Sequence, residues 1–153
     1  MPNYKGHIAG GVGAFIVTVL GMRMICTPSP LTLVEWLACT VAGALFPDVD
    51  IKSKGQRYGY WIILVILTVL LIRKRFEMLM SVSVLAMAPM LSRHRGLFHR
   101  LWFIIAFPLL IWYLISLEFP KISGELFYDT LFFIAGAISH LWLDRGLVRM
   151  FQW

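Results

Sequence analysis

Six apolar runs, at about residues 7–22, 31–47, 58–72, 77–91, 100–117 and 126–143, are separated by short charged or proline-bearing breaks. No other feature restricts the fold so tightly. Hydrocarbon offers no water to pair backbone amides, so a chain crosses it only as helices or as a closed barrel. The runs lack the two-residue alternation of barrel strands, which leaves an all-α polytopic membrane bundle. Several runs fall short of the ~20 residues needed to cross ~30 Å of hydrocarbon. The expectation is therefore about six short transmembrane or membrane-embedded helices, with a two-layer structure partly sunk in one leaflet as the alternative. Composition agrees: 59% of residues are hydrophobic and 14% charged, against roughly 45–50% and 25% in soluble domains. With no repeat, low-complexity stretch or long linker, residues 1–153 read as a single integral membrane domain.

The net charge is +6. The basic residues lie between apolar runs, so anionic headgroups and the positive-inside rule account for them better than nucleic acid, for which no binding signature is present. Arg73-Lys74-Arg75 reads as a stop-transfer or lipid-binding patch. Cys26 and Cys39 form no C-x-x-C pair and read as small apolar fillers. The first run lacks a signal-peptide cleavage site and reads as a retained helix. Gly10, Gly11 and Gly13 in the first run, and Ala135, Gly136 and Ala137 in the sixth, permit close helix contact. Pro108 is expected to bend the fifth helix, and Asp129 to cap the sixth.

The placement of ionisable residues points to chemistry. All four histidines fall at run ends: His7, His94, His99 and His140. Asp48 and Asp50, in FPDVD, and Asp144, in SHLWLD, do the same. If the chain crosses the membrane with each run, all seven arrive on the face where the N-terminus lies. Imidazole and carboxylate together are donors for Zn²⁺, Mn²⁺ or Fe²⁺. His140 and Asp144, four apart, share one helix face and make a chelating pair. Asp48 and Asp50 follow Pro47 in a turn, so one can bind metal while the other orients a ligand or water. His94 and His99 would point apart on a regular helix, and Gly96 between them supplies the bend that turns both inward. The expected ligands are thus His7, Asp48, Asp50, His94, His99, His140 and Asp144, a set large enough for one or two ions. Zinc fits best, with Mn, Fe or Mg as the other possibilities.

These residues resemble a known family, the LexA-regulated, membrane-bound metal-dependent hydrolases. Its pattern is an N-terminal His before a glycine-rich helix, then P-D-x-D, H-R-G-x-x-H and a late H-x-x-x-D. Here it stands as His7 with Gly10 and Gly11, Pro47 to Asp50, His94 to His99, and His140 to Asp144. Arg100 departs from it, since the family has a small polar residue there. The family is thought to be distantly similar to zinc-dependent phospholipases C. That resemblance implies hydrolysis of a phosphoester of a lipid or other amphiphile at headgroup level, by metal-activated water. Asp48 or Asp50 would then be the catalytic base, and Arg93, Arg95, Arg100 and Arg145 the phosphate contacts, since guanidinium binds phosphate bidentately. The implied partners are membrane lipids and a phosphate-containing substrate. The same cluster could instead serve a metal or proton transporter or sensor, or the chain could be a non-enzymatic membrane interaction protein. The expected location is the bacterial inner membrane. Nine Lys and Arg fall on the histidine face against five opposite, which places that face in the cytoplasm. Without the four arginines assigned to the site, the count is five each.

Overall fold

The computed structural model describes residues 4–50, 54–74, 76, 79–80, 82–83 and 97–149. Among these every regular element is helical and none is a strand. The chain divides into two compact units, residues 1–47 with 99–153, and residues 48–98.

The first unit holds four long helices: α1 (Tyr4–Met22), α2 (Pro30–Leu45), α4 (Leu101–Glu118) and α5 (Ser123–Arg149). The second holds α3 (Lys54–Ile72). Of the expected run at 77–91, residues 79, 80, 82 and 83 are helical and the others lie outside the described residues. Four stretches are long and apolar enough to cross a membrane among the described residues: Tyr4–Met22, Pro30–Asp48, Leu101–Glu118 and Pro120–Asp144. The shortest, at 18 residues, spans about 27 Å at 1.5 Å per residue, close to the ~30 Å of a bilayer core. α1, α3 and α5 exceed their apolar runs because polar residues such as Tyr4 and Lys5 extend their ends. Outward-facing side chains are apolar, as lipid contact requires: Val17 is 72% exposed and Ile25 72%.

Ser29 starts α2. Its hydroxyl accepts a hydrogen bond from the Thr32 amide at 3.2 Å, and Pro30 takes the first helical position. A 3-10 turn over Pro120–Ile122 leads directly into α5 at Ser123. Asp129 therefore lies inside α5 rather than at its cap. Pro108 is buried inside α4, which continues through it. At its far end α5 is broken at Gly146, where φ 72 and ψ 163 are open essentially to glycine alone.

α2 and α5 run parallel and cross where small residues let the backbones meet. A Cβ on Gly43 would strike the Phe133 carbonyl, and one on Gly136 would strike the Thr40 carbonyl. α1 lies antiparallel to both, with Gly11 against Ala44 and Gly10 against Leu143. Gly13 corrects the expectation for the first run, because it faces open space. Two residues beyond Gly11 is about 200° around a helix, which turns it to the opposite side. Away from the crossing, aromatic rings fill the gap: Trp36 stacks on Phe132 at 4.4 Å, and Phe46 meets Phe133 edge-on at 5.3 Å.

Candidate metal centre

The crossing fixes the ends of three helices together. α1 begins, and α2 and α5 end, at the same edge of the first unit. One turn into α1 stands His7, and near the end of α5 stand His140 and Asp144. His7 and His140 are buried, 3% and 0% exposed, and the Asp144 side chain is only 4% exposed. The His7 and His140 rings stack at 3.9 Å, tilted by 17°. Asp144 reaches both: Oδ1 lies 3.5 Å from His7 Nε2, and Oδ2 lies 3.7 Å from His140 Nε2.

Those separations are long for hydrogen bonds, which run about 2.7–3.2 Å. They fit donors sharing an ion, since ligand atoms ~2.0–2.2 Å from a common metal lie roughly 3–3.6 Å apart. One donor atom from each of the three residues falls within 4.8 Å of the others. The donor chemistry also fits, because two neutral imidazoles and a carboxylate suit zinc and its first-row neighbours.

The orientation of His140 has a cause that can be traced to sequence. Its Nδ1 lies 2.7 Å from the Ala44 carbonyl oxygen. A carbonyl only accepts, so Nδ1 carries the proton and donates, and Nε2 turns its lone pair toward Asp144. The Ala44 carbonyl is open to this donor because of how α2 ends. At Phe46 the chain tightens into a 3-10 turn (Phe46–Asp50), and the Phe46 amide donates to the Gly43 carbonyl three residues back. The same pattern would pair Ala44 with residue 47, which is proline and has no amide proton. Pro47 thus leaves a buried carbonyl at a helix end, where carbonyls lack helical partners, and His140 fills it. A metal-binding histidine is commonly held in this way by a backbone carbonyl on its other nitrogen. Pro47→Ala is expected to supply a competing amide, loosen the His140 ring and lower zinc affinity by about 10–100-fold. Calorimetric zinc titration of the purified variant checks this, with its circular dichroism unchanged.

His99 joins the cluster from the 3-10 turn Leu97–His99 that precedes α4. It is 2% exposed, and its ring meets His140 edge-on with centroids 5.7 Å apart. Arg100 then caps α4 through its extended backbone, with its side chain exposed.

The structure therefore gathers His7, His99, His140 and Asp144 in one unit. Asp48 belongs to the second unit, where it sits half-exposed on the 3-10 turn that Pro47 helps to form, in keeping with the turn expected after Pro47. His94, Arg93, Arg95 and Gly96 lie outside the described residues, as do the side chains of Asp50 and Arg145. Gly43 and the Ala44 carbonyl are functional elements that the sequence reading missed. The run of small residues Ala42-Gly43-Ala44 before Pro47 was the available signal. At the opposite end of α2 and α5, Glu35, Glu125 and Asp129 line a cavity of about 300 Å³, which sequence reading did not group either.

Comparison with known proteins gives one match. A family model described as YdjM inner membrane protein matches residues 1–151. No curated relative and no solved structure matches the chain.

Proposed function

The chain belongs to the YdjM inner membrane protein family, and from that premise and the buried cluster we propose that this integral inner membrane protein is a metal-dependent hydrolase. It cleaves a phosphoester of a lipid or similar amphiphile at headgroup level. The observation that carries this reading is the 2.7 Å contact of His140 Nδ1 with the Ala44 carbonyl, which leaves Nε2 toward Asp144 beside the stacked His7 ring. His7, His140 and Asp144 would hold a divalent ion, zinc by preference, with His99 next to them. Such an ion supplies a nucleophile by lowering the pKa of water toward ~7. Asp144 balances the ion's charge through one oxygen toward each imidazole. Asp48 or Asp50 would serve as the base, and Arg93, Arg95, Arg100 and Arg145 as the phosphate contacts, the roles that the family resemblance implies. A site at the end of the spans, rather than at their middle, meets headgroups without drawing a lipid out of the bilayer.

The interior of the helices speaks against transport. Thr18, Thr40, Thr68 and Ser83 each donate to the carbonyl four residues back in their own helix. Their hydroxyls close on backbone and build no polar path. The purified protein, loaded with zinc or manganese, should hydrolyse phospholipids or polyprenyl phosphates in a screen and stop on chelation. Zinc-loaded protein inert across both classes would sink the hydrolase reading while leaving metal binding standing.

With all Lys and Arg counted, nine against five, the positive-inside rule favours the cytoplasm for the site face. The connection between α1 and α2 then faces outward, and Met24 there is 92% exposed. Met24→Cys, with Cys26 and Cys39 changed to Ser, is expected to react with a membrane-impermeant maleimide in intact cells. Labelling that requires permeabilised cells would place the site on the outer side.

A further inference from the structure

The end of α1 away from the histidines carries a groove that the proposed chemistry does not use. Phe15, Val19 and Leu20 of α1 and Leu33 of α2 line a cavity of about 360 Å³, and Arg23 and Thr27, from the connection that follows α1, line it too. The walls are apolar along the helices, and the polar groups Arg23 and Thr27 come from just beyond the end of α1. Arg23 is exposed and makes no ion pair with Asp or Glu among the described residues. Apolar walls beside an exposed guanidinium match an acyl chain beside a phosphate, and the lining holds no carboxylate to pair a zwitterion's ammonium, which favours a net anionic headgroup. We infer that this groove is a binding site for an anionic glycerophospholipid, with one acyl chain along Phe15, Val19 and Leu20 and the phosphate on Arg23 and Thr27.

This lipid is a bound component and not the substrate. Arg23 lies sixteen residues beyond His7 on the same helical course, about 24 Å at 1.5 Å per residue. A headgroup on Arg23 cannot reach the histidine cluster, so the inference stands or falls separately from the hydrolase reading.

The test is native mass spectrometry of the full-length protein in detergent, with phosphatidylglycerol or phosphatidylcholine added. One phosphatidylglycerol should persist at collision energies that strip phosphatidylcholine. Arg23→Gln should lower phosphatidylglycerol occupancy about tenfold, the scale of one charge-assisted hydrogen bond. Lys121→Gln, a change at another exposed cation at that end of the helices, should not. Equal retention of both lipids, unchanged occupancy in Arg23→Gln, or an equal loss in Lys121→Gln would overturn the inference. So would a dimer whose formation displaces the lipid, because the groove would then seat a second copy of the chain.

Discussion

Asp144→Asn is expected to abolish tight metal binding while leaving the helical bundle intact. The change keeps the shape of the side chain and removes the charge that faces both imidazoles. Altering a residue that only orients a ligand costs about 10–100-fold in metal affinity, and losing an anionic ligand outright should cost more. Stability gives a second readout. Zinc at a hundred times its dissociation constant would stabilise the folded wild type by about 2.7 kcal/mol. That increment, seen as a rise in the thermal midpoint, should vanish in Asp144→Asn. A variant that binds and is stabilised by zinc like the wild type would mean that Asp144 is no ligand.

The second large effect concerns packing. Gly43→Ala is expected to destabilise the native bundle strongly, because the added methyl meets the Phe133 carbonyl and not a movable side chain. Overpacking costs about 1–3 kcal/mol where neighbours can shift. Here the obstacle is the backbone of a buried helix, so the cost lies at or above the top of that range. Gly13→Ala is the matched control: nothing lies near it, and alanine favours the helix by about 0.5–1 kcal/mol. Fluorescence-detected size exclusion after heating should show Gly43→Ala aggregating at temperatures that Gly13→Ala survives. The surviving fraction of Gly43→Ala should also bind zinc poorly, since this crossing sets the Ala44 carbonyl against His140.

Much of the centre was legible because it follows from periodicity. His140 and Asp144 share a face through the 3.6-residue turn. His7 joins them because the chain crosses the membrane between them, a property that survives error in the helix ends. What stayed hidden depends on the backbone. No residue type announces that the Ala44 carbonyl is open. That follows from a 3-10 turn meeting Pro47, and the sequence indicated a turn here without its hydrogen-bond pattern. Gly43 escaped notice because its neighbours are nearly as small, and only the line of the crossing separates a glycine that must remain from one that need not. Asp129 was misplaced as a cap because the apolar run starts later than the helix, which Pro120 and Ser123 begin among polar residues.

The measurement that bears most directly on the central claim is the metal content of the wild-type protein. The protein would be purified without chelator, offered zinc or manganese, dialysed, and analysed by inductively coupled plasma mass spectrometry beside Asp144→Asn. The structure predicts about one tightly held divalent ion per chain, and its loss from the variant. A folded wild-type protein that emerges from loading and dialysis with no more metal than the variant would contradict the account.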